Sequence, residues 1–362
     1  NFHFSTTFKN KSLVLDAINE EIIQNRIPHT AQNIVEPIDT IYFGGGTPSL
    51  LTQKELSRFI ENIYKHFNVK AGAEITLETN PDDHHAENLS NWKSVGINRL
   101  SIGVQSFFNQ DLLWMNRVHN AEQSVSCIKS VQDKGFNNIT VDLIYGTPGL
   151  SDAAWENNLE MTVTLGIPHL SCYALTVEPK TALAHSINEN KCAPVNSEQQ
   201  ARQFLLLMKW ARENGFRHYE ISNFAKAGFE SKHNSSYWQQ KPYLGFGPSA
   251  HSYDGFKTRW WNIANNSTYV KNLDKNQPIY EEEYLTDIQL HNEYIMLALR
   301  TDEGISKNTY EKNKLYNFSD LSIKAIKWKN QDKLSINSTH MRLTDEGRLF
   351  ADAIATDLFL NS

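Results

Sequence analysis

The stretch Ile41-Tyr42-Phe43-Gly44-Gly45-Gly46-Thr47-Pro48 joins a short apolar run to three glycines and a proline. It predicts a strand that ends in bare backbone. Glycines reach positive φ without a Cβ penalty and can turn main-chain N–H groups toward a polar or anionic ligand, while Pro48 fixes the exit from the turn. A tight loop with no ligand would use the same residues. Working outward, polar residues recur at the ends of further apolar runs. Glu78 closes Glu74-Ile75-Thr76-Leu77-Glu78, Gln105 closes the run from Arg99, and Asp142 lies within Ile139 to Ile144.

At 362 residues the chain can bury a large core and suggests one large domain plus a smaller one. A net charge of −6 and a pI near 6.1 provide no global basic field, so nucleic acid is not an expected partner. No stretch approaches the length of a membrane span and no secretory pattern opens the sequence. Cys127, Cys172 and Cys192 are too scattered for a disulfide framework or a clustered metal motif. They suit a reducing compartment, and the expected location is cytoplasmic.

Apolar runs alternate with helical patterns, as in βα units around a parallel sheet. Strands are predicted near 39–43, 74–78, 99–105, 138–144 and 169–176, with a further strand at His218 to Ser222. Helices are predicted near 11–25, from Thr52, and near 120–134, 151–165 and 197–214. Thr52-Gln53-Lys54-Glu55 has capping-box form, and Leu56, Phe59, Ile60, Ile63 and Tyr64 follow at helical spacing. Asn196 is a candidate N-cap for the helix that closes at Gly215, with Phe204, Leu205, Met208 and Trp210 expected in the core.

From Lys226 to about Gln277 the aromatic, Gly-, Asn- and Ser-rich chain shows little periodicity and reads as a long connecting segment. Beyond it, Asp287 to Arg300 is helical in pattern. Arg342 to Phe350 resembles a short strand turning into a final helix, as in a winged-helix-like module. The division expected is 1–225, 226–280 and 281–362.

A (β/α) barrel gathers residues at strand ends on one face, so Gly44 to Thr47, Glu78, Gln105 and Asp142 are expected to share a pocket. Their chemistry suits a zwitterionic nucleoside ligand. Alternatively, Glu78 and Asp142 satisfy neighbouring backbone, Arg99 or Arg117.

The ordered set Tyr42-Phe43-Gly44-Gly45-Gly46-Thr47-Pro48-Ser49, Glu78-Thr79-Asn80-Pro81, Arg99 to Ser106 and Val141 to Gly149 resembles the radical S-adenosylmethionine (SAM) family. Within it, the sequence is similar to the oxygen-independent coproporphyrinogen III oxidase group, and most closely to its heme-chaperone branch. The resemblance covers essentially the whole chain. It implies an α/β fold: a partial (β/α) radical SAM barrel with a small C-terminal, winged-helix-like α+β domain. It also implies that Gly45, Gly46 and Thr47 contact the methionine part of SAM, with Glu78 close to the same ligand. Gln105, Arg117, Asp142 and Thr176 match the neighbourhood of a second SAM site in the oxidase.

The family holds a [4Fe-4S] cluster on a CxxxCxxC motif, and no such spacing occurs here. Asn1-Phe2-His3-Phe4 resembles the segment following the third family cysteine, so the cluster cysteines are expected just upstream of Asn1. His233-Asn234-Ser235-Ser236-Tyr237-Trp238 matches the HNxxYW pattern of the chaperone branch. His233 is the leading candidate heme ligand, with His251 behind it, and Tyr237, Trp238 and Phe246 offer flat apolar surfaces. A hydrogen-bonded loop histidine packed by aromatics would look the same.

Two functions compete on this reading. One is a heme chaperone that uses SAM and the cluster while delivering heme to an acceptor protein. The other is an oxygen-independent oxidase that decarboxylates propionates of coproporphyrinogen III.

Overall fold

The computed structural model describes residues 11–24, 37–84, 86–312 and 316–360. The segment Asn1 to Phe4 lies outside these. Five parallel strands, β1 (Ile38–Phe43), β2 (Val69–Thr79), β3 (Arg99–Gln105), β4 (Asn138–Tyr145) and β5 (His169–Ala174), pair in sequence order. Helices connect them, and the sheet curls into a partial barrel. The predicted last strand, His218 to Ser222, is instead a hairpin. β6 (Arg217–Glu220) reverses at Ile221-Ser222 into β7 (Asn223–Ala225), which adds antiparallel to β5. β5 stops at Ala174, short of the predicted Thr176.

Alternation along the strands decides which residues meet. Ile75 and Leu77, Leu100, Ile102 and Val104, Ile139, Val141 and Leu143, and Leu170 and Cys172 point to the face covered by helices and join one core. The other phase carries Thr40 and Tyr42, Glu74, Thr76 and Glu78, Arg99 and Ser101, Thr140 and Asp142, and His169 and Ser171. Register makes these cross-strand neighbours: Thr40 pairs with Glu74, Thr76 with Arg99, Glu78 with Ser101, Thr140 with His169 and Asp142 with Ser171. One face of the sheet is therefore apolar and the other is a polar interior.

The predicted caps form. Thr52 and Glu55 make both bonds of the capping box at the start of the helix Gln53–His66, and Asn196 caps Ser197–Glu213. Phe204, Met208 and Trp210 are buried, whereas Leu205 and Tyr64 are exposed because each falls on the outer side of its helix.

The segment from 226 is more regular than its composition suggests. It contains the helix Lys232–Trp238, the strands β8 (His251–Tyr253) and β9 (Thr258–Asn262), and the helix Asn266–Asp274. β10 (Tyr280–Tyr284) completes an antiparallel sheet of order β10-β9-β8. Short strands rich in Trp and Tyr, buried at alternate residues in β9, leave too little sequence for periodicity to register.

The C-terminal part packs the helices Asp287–Leu299 and Ala351–Leu358 with a small antiparallel sheet of β11 (Ile305–Ser306), β12 (Leu334–Ile336) and β13 (His340–Leu343). It has its own core around Ile295, Leu299, Leu321, Met341 and Ile354.

Candidate functional site

The glycine turn leaves the end of β1 with Gly45 at φ 75° and Gly46 at φ 71°, both in the left-handed region that disfavours side chains. A Cβ at either position would meet no atom within 4 Å, so their outer faces are open. Glu78, at the end of β2, braces the turn: its carboxylate accepts the Gly45 N–H at 3.1 Å and the Tyr42 hydroxyl at 2.8 Å. The alternative expected of Glu78, satisfaction of nearby groups, is thus realised on the turn itself. Burial and the Glu78 charge push the Tyr42 hydroxyl far above its ordinary range, so Tyr42 is a donor throughout the working pH range.

Tyr42 also ties the turn to the HNxxYW segment. Its ring stacks on His233 with centroids 4.7 Å apart and planes 24° from parallel. His233 Nδ1 lies 2.8 Å from Thr40 Oγ1, and Nε2 lies 3.0 Å from the Tyr237 hydroxyl. Edge-on contacts continue from His233 to Tyr237 and from Tyr237 to Tyr243.

The histidine is held by the barrel. Ser231 caps the helix Lys232–Trp238, and the backbone N–H groups of Lys232 and His233 donate to the two oxygens of Glu74 at 3.3 and 3.1 Å. Glu74 and its partner Arg99, 3.9 Å away, are 5% and 1% exposed, so the helix terminus rests on a fully enclosed ion pair. Arg99 also bonds Thr140, whose hydroxyl meets His169 at 3.0 Å. His169 in turn reaches Tyr219 at 2.8 Å, and the Tyr219 hydroxyl accepts from the Ser231 N–H. Burial, reinforced by Arg99, lowers His233 to about 4, so its imidazole is neutral. Glu74, Thr140 and His169 were not singled out from the sequence, and Arg99 was named as a partner for Glu78 or Asp142, whereas its ion pair is with Glu74. Their in-phase alternation with Glu78 and Asp142 was the available signal.

A cavity of about 2310 Å³ opens between the end of β1, the helix Lys11–Gln24 and residues 228–251. Gly45, Gly46, Thr47, Glu78, His233 and His251 all line it. His251 is exposed and hydrogen-bonded to the Ser249 carbonyl at 2.9 Å. Gln105, Arg117, Asp142 and Thr176 lie outside this wall. Asp142 sits deeper along the polar face, where burial and the charge of Glu78 raise its carboxyl to about 7 against hydrogen bonds from Ser171 and Ser101. Burial lowers Arg117 from its ordinary value, against the charges of Asp142 and Asp82. Gln105 is buried at φ 70° with its amide over Gly103. Thr176 follows β5 in the exposed connection.

The chain matches the radical SAM superfamily over residues 17–162 and the HemN C-terminal domain over 285–350. Its fold matches the coproporphyrinogen III oxidase HemN of Escherichia coli with a TM-score of 0.82 at 20% identity, covering 99% of this chain and 85% of that one. It is also 33% identical to the heme chaperone HemW of Bacillus subtilis over 343 residues, 94% of this chain and 89% of that protein. The chain belongs to the HemW family. The HemW of Mycobacterium tuberculosis strain H37Rv is similarly related, with 32% identity over 322 residues covering 89% of this chain and 80% of that one. Among the described residues no helix is long and apolar enough to cross a membrane.

The radical SAM family implies SAM and a [4Fe-4S] cluster, and the residues here fit the first. Two open left-handed glycines beside a carboxylate suit a zwitterionic amino-acid group. The cluster finds no such fit: among the described residues no group of three or more His, Cys, Asp or Glu side chains is placed to hold a metal. Cys127 and Cys172 are buried, and burial pushes both thiols far above their ordinary range.

Proposed function

We propose that this chain is a radical SAM heme chaperone that takes heme into the cavity beside His233 and passes it to acceptor proteins. The observation that carries the reading is His233 itself: a neutral imidazole at the wall of a large cavity, flanked by Tyr42 and Tyr237 and anchored through its backbone to Glu74. Neutral imidazole is the form that ligates iron. In this proposal Gly45, Gly46, Thr47 and Glu78 would hold SAM by its zwitterionic amino-acid end, with the glycine turn taking the carboxylate and Glu78 the ammonium. Gln105, Arg117, Asp142 and Thr176 are the proposed lining of a further nucleoside subsite. The proposed working parts of the chain remain 1–225, 226–280 and 281–362.

The test compares transfer of heme to an apo-acceptor by wild type and His233→Ala at matched heme loading. Slower transfer by the variant is expected. Equal transfer by both would remove His233 from the function. Turnover of coproporphyrinogen III under reducing conditions with SAM would instead favour the oxidase reading.

A further inference from the structure

We propose that Tyr237 masks the iron-binding nitrogen of His233. Its hydroxyl occupies Nε2 until heme displaces it, while Thr40 holds Nδ1 throughout. The proposal rests on the reading of His233 as the heme ligand.

Both ring nitrogens of His233 are engaged, Nδ1 by Thr40 at 2.8 Å and Nε2 by Tyr237 at 3.0 Å. A neutral imidazole has one N–H and one lone pair, and a hydroxyl can complement either. Iron therefore has to take a nitrogen from one of the two partners. The Thr40 contact is partly buried against β1, whereas the Tyr237 contact is exposed and Tyr237 is itself 39% exposed. Nε2 is the reachable nitrogen.

Helical geometry produces the mask, because residues 233 and 237 stand four apart and share one side of the helix Lys232–Trp238. The same helix cannot easily slide the histidine away, since Glu74 receives the Lys232 and His233 N–H groups. Release has to come from the tyrosine, whose hydroxyl can turn to water.

In the proposed tautomer the proton sits on Nδ1 facing Thr40 and the Nε2 lone pair accepts from the Tyr237 hydroxyl. The Tyr237 O–H···Nε2 bond breaks and the hydroxyl turns to water, while the freed Nε2 lone pair is donated to iron in place of a water or halide that iron releases to solvent, and the Nδ1 proton stays where it is. On delivery the steps reverse, so the hydroxyl competes with iron for the nitrogen as heme leaves. A ligand masked in this way binds heme more weakly than a bare imidazole and gives it up more readily.

The experiment is a hemin titration, followed by Soret absorption, of wild type, Tyr237→Phe, His233→Ala and the double variant. Thermal unfolding of each serves as the folding check. Tyr237→Phe keeps the ring and removes only the hydroxyl, and it should bind hemin roughly 2- to 10-fold more tightly, the range expected for one neutral hydrogen bond. His233→Ala should bind more weakly, and the double variant should match it. Unchanged or weaker binding by Tyr237→Phe, beside weaker binding by His233→Ala, would overturn the mask and leave the ligand reading intact. Tightening by Tyr237→Phe in the His233→Ala background would assign the gain to apolar contact and overturn the mask as well. Wild-type affinity in His233→Ala would remove the ligand and the mask together.

Discussion

Replacing Glu78 by alanine tests whether the glycine turn is the SAM-binding element. The carboxylate accepts two hydrogen bonds, from the Tyr42 hydroxyl at 2.8 Å and the Gly45 N–H at 3.1 Å. The Gly45 bond is exposed, and water can replace it. The Tyr42 bond is part-buried, and its loss strands a donor at a cost of about 1–3 kcal/mol. Urea unfolding of Glu78→Ala should show a loss within that range, while Glu78→Gln, which keeps an acceptor for Tyr42, should lose less. SAM affinity, measured calorimetrically on anaerobically prepared protein, should fall at least about tenfold in Glu78→Ala, equivalent to about 1.4 kcal/mol. Gly46→Val supplies an independent arm. Its Cβ meets nothing within 4 Å, so any loss comes from a β-branched residue forced to φ 71° and from a side chain projecting over the turn. Stable folding of both variants with unchanged SAM affinity would refute the assignment of the turn.

Three further outcomes follow from the electrostatics. His233 sits at about 4, below its ordinary value, so its heme ligation should be flat from about pH 5.5 to 8 and weaken only near pH 4. Because the unfolded chain binds this proton first, stability from this group is lost as pH falls from about 6.5 toward 4, and an NMR titration midpoint near 6.5 would contradict the enclosure described. Arg99→Met leaves the Glu74 carboxylate buried without its cation and should cost about 3–5 kcal/mol in denaturant unfolding, with an altered Soret spectrum of the heme-loaded protein. Iodoacetamide under native conditions should modify Cys192 and spare the buried Cys127 and Cys172; mass spectrometry showing equal labelling of all three would contradict their burial.

Much of the barrel was legible because its signals are local. Thr52 and Glu55 form their capping box within four residues, and Asn196 caps the next residue's helix. The glycine turn was legible for the same reason, since positive φ is a demand that only the local residue can meet. The hairpin of β6 and β7 was hidden because three- and four-residue strands carry too few positions to show a period. The sheet β10-β9-β8 was hidden because β8 and β9 lie in a stretch whose composition suggested loop, and β10 follows just beyond it. Alternate burial in β9 and its pairing with β10 supply what composition does not.

The address of His233 illustrates the remaining gap. The HNxxYW pattern specifies residue types and places Tyr237 one helical turn beyond the histidine. It contains nothing that names Glu74, which is 159 positions away from His233, or Thr40, which is 193 away. Those partners follow from register: parallel pairing of β1 with β2 sets Thr40 beside Glu74, and pairing of β2 with β3 sets Thr76 beside Arg99. A carboxylate enclosed with an arginine is costly unless its remaining lone pairs are used. The first turn of a helix offers unpaired N–H groups in need of an acceptor. Each element therefore supplies what the other lacks. The consequence is that the aromatic segment is docked by its first helical turn onto the polar face of the barrel, which fixes His233 against Tyr42 and, through Tyr42 and Glu78, beside the glycine turn.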